Sequence, residues 1–492
     1  MKPADEPGIL AKLRYLEEGL MIGGAWREGG SDDRLPIENP STGEVLGSIR
    51  AASPSNVDDA VAAARGALSG PWGKLPASER GRLLSRIGTA VLAQIDDLAA
   101  LEALDVGKPL RQARDDVRAL ARYLEFYGGA ADKIHGETIP YLPGYTVFTL
   151  REPHGVTGHI IPWNYPMQII GRSVVAALAM GNATVVKPAE QACLTTLAFT
   201  RIAHAAGLPA GALNVIPGTG TEAGSALAGH PGVNHLSFTG STAVGMSVQA
   251  AAARNAVPVT LELGGKSPQL VFDDAEVDRA LPSLLNAGMQ NAGQTCSAGS
   301  RLIVQRGVYE QVLAELGARV RALRAGPAVA DLDVGPLISA RQKRTVESYL
   351  EIGARELTLE AQGQIASDAP AGGHYVRPSL FAGVPPQHRL AQEEIFGPVI
   401  VVMPFDDEEQ AIALANGTPF GLVAGVWTRD GARQMRMARA LRAGQVFLNN
   451  YGAGGGVELP FGGMGRSGHG REKGMEALYA FSALKTVASH HG

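Results

Sequence analysis

Cys296 and Glu262 are the two residues of this chain best suited to chemistry at a carbonyl group. They lie in the segments Asn-Ala-Gly-Gln-Thr-Cys-Ser and Leu-Glu-Leu-Gly-Gly-Lys-Ser-Pro, and 296 − 262 = 34 positions separate them. A thiol can attack a carbonyl carbon, and a carboxylate within reach can then activate the water that releases the resulting thioester. The two residues together predict covalent catalysis on an aldehyde.

The surroundings of the two cysteines distinguish Cys296 from Cys193. A free thiol has a pKa of about 8.5, so a nucleophilic cysteine needs dipoles or charges that favour the thiolate. Cys296 follows a helix predicted to end near Met289 and lies in a polar, glycine-containing turn, where backbone amides can face the sulfur. Cys193, in Gln-Ala-Cys-Leu-Thr, is typical of a buried cysteine that acts as a small hydrophobic side chain.

Composition restricts the class of protein. A length of 492 residues exceeds what one hydrophobic core supports, which predicts two or three domains. A net charge of −4 offers no cationic field to nucleic acid or to an anionic membrane, so small-molecule chemistry is favoured. Two cysteines and scattered histidines exclude a disulfide scaffold, predict no metal site and indicate a reducing compartment. Since the polar start of the chain does not resemble a signal peptide, we expect a cytoplasmic location.

Hydrophobic patterning predicts an α/β fold. Amphipathic helices are expected through most of residues 55–129, with Ser55 and Asp58 resembling a capping box. Short β-rich runs then alternate with Ala-rich helical stretches, which favours a parallel sheet covered by helices. The first series of predicted strands comprises Ala183–Val186, Asn214–Ile216, His235–Phe238 and Val259–Glu262. A second series, which predicts another domain, comprises Gln269–Phe272, Leu302–Val304, Val399–Val402, Leu422–Gly425 and Gln445–Leu448.

Two glycine-containing blocks could meet the phosphates of a dinucleotide. Pro217–Gly224 follows a predicted strand, but its glycines read G-x-G-x-x-x-G, one residue longer than the ordinary dinucleotide fingerprint. Phe238–Gly245 leads from a strand into a predicted helix, where unpaired amides, Ser241 and Thr242 could contact a pyrophosphate. The alternative for the second block is a glycine turn with a serine cap.

Five further motifs accompany the segments around Glu262 and Cys296. They are Pro162–Pro166 (Pro-Trp-Asn-Tyr-Pro), Lys187–Glu190 (Lys-Pro-Ala-Glu), Phe238–Thr242 (Phe-Thr-Gly-Ser-Thr), Glu393–Pro398 (Glu-Glu-Ile-Phe-Gly-Pro) and Pro460–Gly468 (Pro-Phe-Gly-Gly-Met-Gly-Arg-Ser-Gly). In this order and spacing, the chain strongly resembles the aldehyde dehydrogenase superfamily over nearly its whole length. The resemblance implies an α/β fold with a variant Rossmann cofactor domain, an α/β catalytic domain and a small β extension for oligomerisation. The implied boundaries are 1–131 and 152–263 for the NAD-binding domain, 264–464 for the catalytic domain, and 132–151 with 465–492 for the oligomerisation segment.

The resemblance also implies NAD as the cofactor. Lys187 and Glu190 would hold the adenosine ribose, and the Glu190 carboxylate would repel the 2′-phosphate of NADP, so NAD is preferred. Glu394 would bind the nicotinamide ribose, with Phe396 near the ring and Gln342 assisting. The other implied contacts are Ile161, Pro162, Trp163, Gly220, Phe238, Gly240, Ser241 and Gly264. The alternatives are a surface ion pair for Lys187 with Glu190, and a solvated acidic helix start at Glu394.

The implied chemistry gives each catalytic residue a role. Attack by Cys296 makes an oxyanion, for which Asn164 and the Cys296 amide would be donors; loss of one such donor commonly costs about 2.7–4 kcal/mol. Glu262 would activate the hydrolytic water, which argues for a free acid rather than transfer to coenzyme A. Asn164 could instead be only a turn former, and Glu262 only a charge at a strand end. Lys266 belongs either to a proton relay or to a satisfied charge pair.

Residues at the substrate end leave several aldehydes open. Arg172 matches a position where semialdehyde dehydrogenases can carry arginine to pair with a distal carboxylate, although a helix salt bridge is the alternative. Gln290 stands where some succinate-semialdehyde enzymes have a second arginine, which argues against that substrate. The glycine-rich loop 450–459 corresponds to the mouth of the substrate tunnel and could admit a bulky aromatic, terpenoid or long-chain aldehyde. Its expected apolar contacts are Tyr165, Tyr451 and Phe461.

Assembly and a competing function complete the expectations. Gly144–Leu150 alternates apolar and polar residues without an obvious local partner, which predicts a protruding hairpin, and the apolar run Glu476–Leu484 needs cover. With the resemblance, these segments predict a homo-oligomer, either a dimer or a tetramer.

The alternative function is a cysteine-dependent thioesterase or esterase without redox chemistry, which the dinucleotide blocks oppose.

Overall fold

A computed structural model describes residues 19–492. In chain order the strands are β1 Leu20–Ile22, β2 Ala25–Arg27, β3 Arg34–Asn39, β4 Glu44–Arg50, β5 Thr138–Ile139, β6 Tyr145–Pro153, β7 Val156–Ile160, β8 Ala183–Lys187, β9 Leu213–Val215, β10 His235–Thr239, β11 Val259–Glu262, β12 Pro268–Val271, β13 Arg301–Gln305, β14 Arg324–Ala325, β15 Thr358–Gln362, β16 Gln364–Ile365, β17 Ser379–Ala382, β18 Val399–Phe405, β19 Phe420–Gly421, β20 Val423–Trp427, β21 Gln445–Leu448, β22 Met464–Gly465, β23 Gly468–His469 and β24 Ser482–His490.

The α-helices are α1 Pro54–Ser69, α2 Ala77–Leu92, α3 Ile95–Val106, α4 Leu110–Ala130, α5 Pro166–Ile169, α6 Ala176–Ala179, α7 Leu194–Ala205, α8 Ser225–Ala228, α9 Thr242–Ala253, α10 Val277–Met289, α11 Arg306–Ala322, α12 Ala340–Glu356, α13 Arg389–Gln392, α14 Glu408–Ala415, α15 Gly431–Ala440 and α16 Gly474–Ala480. Two π-helical turns span Ile170–Val175 and Gly220–Gly224, and 3₁₀ turns span Gln290–Gly293, Ala328–Ala330 and Gly452–Gly455. The mixed helices and sheets confirm the α/β fold class.

The helical region predicted for residues 55–129 is present as α1 to α4, but the predicted capping box is wrong. Ser53 caps α1 by accepting a hydrogen bond from the Asn56 amide at 3.4 Å, and the Asn56 side chain accepts one from the Ser53 amide at 3.0 Å. Pro54, which lacks an N–H, occupies the first helical position, where that group would have no helical partner. The helix therefore begins before Ser55.

The first sheet has eight strands in the order β2-β1-β9-β8-β7-β10-β11-β23. The five strands from β9 to β11 run parallel, and the two ends of the sheet pair antiparallel. Helices cover the parallel strands, so β8 and β10 are buried along their whole lengths. All four predicted strands of this series are found, and their carboxyl ends lie at one edge of the sheet.

The second sheet has seven strands in the order β15-β17-β18-β13-β12-β20-β21. Only the β15–β17 pair of this sheet is antiparallel. Two hydrophobic clusters pack around this sheet, separate from the cluster that surrounds the first sheet. The predicted second α/β series is therefore a second structural unit with its own core.

The predicted hairpin segment forms part of a third, three-stranded sheet. Strand β6 pairs with β5 on one edge and with β24 along its full length, from Ser482 opposite Pro153 to His490 opposite Tyr145. The partner that was not evident near residue 144 is thus the C-terminal strand. Within the predicted oligomerisation segment 465–492, β23 pairs with β11 and extends the first sheet. Among residues 19–492, no helix is long and apolar enough to span a bilayer.

Candidate active site

A cavity of about 560 Å³ lies where the carboxyl ends of the first sheet face the second α/β unit. Most of the predicted site residues line it: Pro162, Trp163, Asn164, Tyr165, Arg172, Gly240, Ser241, Glu262, Gly264, Cys296, Gln342, Glu394, Phe396, Tyr451 and Phe461. The predicted residues outside this lining are Ile161, Lys187, Glu190, Gly220 and Phe238. The structure therefore brings the predicted nucleophile, base and oxyanion donor into one cavity. These residues are 34 positions or more apart in the sequence, and only the fold places them together.

Glu262 is the last residue of β11, in register with Thr239 of β10 and Gly468 of β23. Its side chain is buried, and within residues 19–492 neither carboxylate oxygen has a hydrogen-bond partner. Burial raises the pKa of Glu262 well above its usual value, and the Arg172 guanidinium opposes that shift. A buried carboxylate with unoccupied oxygens and a raised pKa is well suited to accept a proton.

Cys296 is half-buried and follows an unusual turn. After α10 ends at Met289, as predicted, Asn291 and Ala292 adopt left-handed backbone conformations with φ of 48° and 55°. The Ser297 amide hydrogen-bonds the sulfur, in agreement with the expected polar turn. Burial is nevertheless the larger influence and raises the pKa of the thiol to about 11, although Arg172 lowers it. The thiol is therefore protonated near neutral pH in the protein alone.

Asn164 is fixed against the segment that carries Cys296. Its Nδ2 donates to the Gln294 carbonyl at 3.0 Å, and Asn291 Nδ2 donates to the Asn164 backbone carbonyl at 3.0 Å. Asn164 is only 5% exposed. These two bonds hold a side-chain amide in the cavity beside the cysteine segment, and one Nδ2 hydrogen remains available to a ligand.

Gln342 and Phe396 form the wall opposite Trp163. The Phe396 backbone has a φ of 57°, and Gln342 Nε2 donates to the Phe396 carbonyl at 2.9 Å. The Trp163 and Phe396 rings meet edge to face with their centroids 5.3 Å apart. Gln342 therefore fixes the backbone that presents Phe396, and its expected contact with a ribose stays a prediction.

Glu394 lies against a glycine pair that follows Glu262. Its Oε1 accepts a hydrogen bond from the Gly265 amide at 3.0 Å. A Cβ atom at Gly264 would lie 2.3 Å from the other carboxylate oxygen, so the carboxylate fits only because residue 264 is glycine. Burial raises the pKa of Glu394 to about 7, while the Gly265 amide opposes the shift. Glu394 is thus a positioned side chain, and not the start of a solvated acidic helix.

The predicted adenosine-side residues lie together at the ends of β8, β9 and β10. Lys187 ends β8 and is buried, with its Nζ 3.2 Å from Oε2 of the partly exposed Glu190. The Ile161 amide bonds the Lys187 carbonyl, and a Cβ on Gly224, at the end of the π-turn that starts at Gly220, would be 3.6 Å from the Lys187 side chain. These groups adjoin the cavity lining and do not form part of it.

The second glycine block forms the expected strand-to-helix turn. Phe238 packs so closely on Gly240 that a Cβ there would lie 2.6 Å from the ring. Ser241 caps α9 by accepting a hydrogen bond from the Val244 amide at 3.4 Å, while the Gly240 amide donates to the Glu262 carbonyl at 3.0 Å. The serine-cap alternative is therefore present, and the Ser241 side chain also lines the cavity.

Arg172 lies in the π-helical turn between α5 and α6, at the substrate end of the cavity. Its Nε is 2.5 Å from Glu472 Oε2, and its guanidinium carbon is 4.8 Å from the Phe461 ring centroid. Burial lowers the pKa of Arg172, but the Glu472 carboxylate, followed by Glu262, more than offsets this and leaves the pKa raised. The arginine thus already has a buried counter-ion, supplied by a residue 300 positions away (472 − 172 = 300) and not by its own helix.

Lys266 is buried outside the cavity lining. Among residues 19–492, its ammonium has no hydrogen-bond partner, which contradicts the satisfied-charge alternative. Burial, followed by the Arg301 charge, lowers the pKa of Lys266 to about 7. A role in a proton relay stays a prediction.

The aromatic side chains expected at the substrate end line the cavity, and their contact with a substrate stays a prediction. Tyr165 and Tyr451 each use their hydroxyl to fix the cysteine segment, the first with Thr295 Oγ1 at 3.0 Å and the second by donating to the Ser297 carbonyl. Their rings and that of Phe461 line the cavity. No group of three or more His, Cys, Asp or Glu residues in the described chain could hold a metal ion.

Sequence reasoning missed two charged residues of the site, Glu472 and Lys473. Both follow the Pro460–Gly468 motif, in a stretch that the sequence assigned to oligomerisation. Glu472 is fully buried against Arg172, and Lys473 lines the cavity. Adjacent opposite charges just before the apolar run Glu476–Leu484 were an available signal, although the sequence could not place them beside Arg172.

Comparison with known proteins agrees with this geometry. The aldehyde dehydrogenase family model matches residues 26–487. An aldehyde dehydrogenase of Emericella nidulans is 41% identical over 95% of this chain and 94% of that protein. A Burkholderia cenocepacia chain assigned to the aldehyde dehydrogenases is 61% identical, with a TM-score of 0.95 over 96% of this chain and 100% of that one. PnpE of Pseudomonas sp. WBC-3, solved in complex with nicotinamide adenine dinucleotide, is 38% identical, with a TM-score of 0.93 over 96% of this chain and 97% of that one.

The chain therefore belongs to the aldehyde dehydrogenase family. This confirms the resemblance and its implied fold, and it makes the protein an enzyme of aldehyde oxidation that uses a nicotinamide cofactor.

Proposed function

We propose that this enzyme oxidises an aldehyde to the free carboxylic acid with NAD through a covalent intermediate on Cys296. The balanced reaction converts an aldehyde, water and NAD⁺ into the acid, NADH and a proton. The observation that carries the proposal is one cavity that holds a cysteine sulfur, a buried carboxylate with free oxygens and a fixed side-chain amide.

Cys296 makes the first bond. Its Sγ attacks the aldehyde carbon, the thiol proton leaves, and the carbonyl oxygen becomes the oxyanion of a thiohemiacetal. Because the resting thiol is protonated, a base must take this proton, and Glu262 lines the same cavity with a raised pKa. Asn164 Nδ2 and the Cys296 amide are the proposed donors to the oxyanion.

The residues that would hold NAD fit a dinucleotide. Lys187 and Glu190 present an ammonium and a carboxylate suited to ribose hydroxyls. In Glu394 one carboxylate oxygen accepts from the Gly265 amide, and the other has no hydrogen-bond partner within residues 19–492. Phe396 and Trp163 offer apolar surface to a planar ring. When bound, NAD⁺ supplies the two-electron acceptor for the aldehyde hydrogen.

Glu190 favours NAD over NADP in this proposal. Its partly exposed carboxylate can accept hydrogen bonds from ribose hydroxyls, whereas it would repel an additional phosphate dianion at the 2′ position. Measurement of kcat/KM with both cofactors tests the preference directly.

Glu262 acts again in the second half of the reaction. After oxidation the acyl group is a thioester on Cys296 with a planar carbon open to water, and the Glu262 carboxylate removes a proton from that water. Its unpaired oxygens leave room for a water hydrogen bond, and the absence of Cβ at Gly462, where such an atom would lie 2.9 Å from Oε1, keeps that space open. The product is therefore a free acid.

We further propose that the protein acts in the cytoplasm as a homo-oligomer, a dimer or a tetramer. The three-stranded sheet of β5, β6 and β24 supports assembly, because exposed apolar side chains at Ile139, Leu150 and Leu484 lie on its strands.

The decisive experiment measures NADH formation with a panel of aliphatic, aromatic, terpenoid and carboxylated aldehydes. Cys296→Ala should abolish NADH formation while NAD binding persists, as measured by calorimetry. Cys193→Ala is the matched control, since that buried thiol lies outside the cavity and activity should remain. Hydrolysis of a thioester or ester substrate, with no NADH formed from any aldehyde, would favour the esterase alternative, and a fully active Cys296→Ala enzyme would refute the mechanism.

A further inference from the structure

Two cations, Arg172 and Lys473, reach the substrate end of the cavity, and they differ in their partners. Arg172 forms a buried ion pair with Glu472. Its charge is therefore already balanced by the protein. A substrate carboxylate that bound Arg172 would have to compete with Glu472, whose oxygen lies 2.5 Å from the guanidinium Nε.

Lys473 has no such partner within residues 19–492. Its ammonium donates a hydrogen bond to the Gly455 carbonyl, 3.5 Å from Nζ, at the limit of a hydrogen bond. The ammonium lies 5.4 Å from the Phe461 ring centroid and 6.0 Å from that of Tyr123. The ammonium is thus held among two aromatic rings and the glycine-rich loop, and the Glu472 and Glu262 carboxylates act on it without forming an ion pair within the described residues.

The backbone at Lys473 is also strained. Its φ of 60° and ψ of 168° belong to a region that glycine occupies readily and other residues rarely adopt. Such outliers persist where the surrounding structure fixes them, and they cluster at functional sites. Here the strained residue directly follows Glu472 and immediately precedes α16, so the turn places Lys473 in the cavity lining while Glu472 is buried against Arg172.

We infer that Lys473 is a specificity-determining residue that binds a carboxylate at the far end of the substrate, so that the enzyme prefers aldehydes of the ω-oxo acid class. This inference rests on the proposed function, since it concerns the aldehyde that Cys296 attacks. The sequence-based expectation had given this role to Arg172, and the structure transfers it to the neighbouring cation that lacks a partner.

The chemistry of the site supports a carboxylate in particular. An ammonium offers up to three donors to carboxylate oxygens, and a charge-assisted bond that is shielded from water is stronger than a neutral one. Burial and the nearby Arg172 lower the pKa of Lys473 to about 8, which still leaves the ammonium largely protonated at neutral pH. A substrate carboxylate would give this buried charge a direct ion pair, which no carboxylate within residues 19–492 forms with it.

The test compares matched aldehydes that differ in the terminal group. NADH formation is measured with glutaric semialdehyde against pentanal and with adipic semialdehyde against hexanal, in wild type and in Lys473→Met. We expect the ratio of kcat/KM for the charged over the neutral aldehyde to favour the charged one in wild type. In Lys473→Met that ratio should fall about 10- to 100-fold, mainly through a higher KM for the charged aldehyde.

Three variants control for other effects. Lys473→Arg keeps the charge and should retain most of the preference. Lys473→Gly relieves the positive φ and should lose the preference as Lys473→Met does, which keeps the test available if the methionine variant folds poorly. Arg306→Met removes a positive charge on the surface, where Arg306 pairs with Asp406 away from the cavity, and should leave the ratio unchanged.

The outcomes separate this inference from the proposed function. If wild type forms NADH neither from these aldehydes nor from any other aldehyde, the proposed function fails. If wild type oxidises charged and neutral aldehydes with equal kcat/KM, or if Lys473→Met lowers both equally, the proposed function stands and the inference about Lys473 is overturned. An equal loss would assign Lys473 to the chemical step rather than to substrate selection.

Discussion

Glu262→Gln is the substitution that separates the two halves of the proposed reaction. Glutamine has nearly the same shape as glutamate, and within the described residues neither Glu262 oxygen has a hydrogen-bond partner, so the change breaks no contact. It removes the base proposed for both the thiol proton and the hydrolytic water, but it leaves the sulfur of Cys296 and the Asn164 amide in place, and loss of the Glu262 charge favours the thiolate. The variant should therefore still acylate and should deacylate slowly.

The size of the effect follows from the roles of the groups. Loss of a positioned general base typically slows its step about 10²- to 10⁴-fold, and we expect kcat to fall within that range. The Glu262 charge is also one of the causes that raise the pKa of Cys296, after burial. An amide at position 262 removes that charge and lowers the pKa of the Cys296 thiol, which favours the thiolate. The larger thiolate fraction partly offsets the loss of the proton acceptor in the acylation step.

Stopped-flow absorbance and rapid-quench mass spectrometry test this prediction together. A burst of NADH close to one equivalent per active site should precede slow turnover, and the protein mass should increase by that of the acyl group. Normal turnover without an acyl-enzyme would remove Glu262 from the mechanism. A variant without any burst would show that acylation, rather than deacylation, depends on Glu262.

Two further predictions concern Cys296 and a buried lysine. Without cofactor, alkylation of Cys296 by iodoacetamide should rise about tenfold per pH unit between roughly pH 7 and 10, because its pKa is raised to about 11. If the alkylation rate, corrected for the rate in Cys296→Ser, stopped rising below about pH 9, the effect of burial on the thiol pKa would be contradicted. Lys108→Met should lower the free energy of unfolding in urea by about 3–5 kcal/mol, since it leaves the buried Glu102 and Asp116 without their cation. The exposed Lys133→Met is its control, and a loss below about 1 kcal/mol at Lys108, as for a surface pair, would refute the argument.

The sequence predicted the regular elements well where the pattern was strong. The helices between residues 54 and 130 and the four strands of the first series are present, because buried parallel strands appear as short apolar runs between amphipathic helices. Strand β7 was not predicted. It contains Gly158 and His159, which are poor strand signals, and it is nevertheless fully buried between β8 and β10.

The site was predicted as a set of residues but not as a network of contacts. Cys296, Glu262 and Asn164 were named from motifs, and they line one cavity. The contact of Gln342 with the Phe396 backbone was not predicted, because a side chain that fixes a distant main-chain carbonyl leaves no local pattern. The capping box was placed two residues late, since propensity alone does not fix where a helix begins.

By itself, the sequence determined the family, the candidate nucleophile and the alternation of strands and helices, because these depend on residue types and on local periodicity. Only the tertiary structure decided which charges are free. It pairs Arg172 with Glu472 across 300 positions (472 − 172 = 300) and leaves Lys473 beside them with no ion pair among residues 19–492. The physical reason is that the electrostatic state of a buried group depends on distance and desolvation in space, and neither quantity is written in the order of the residues.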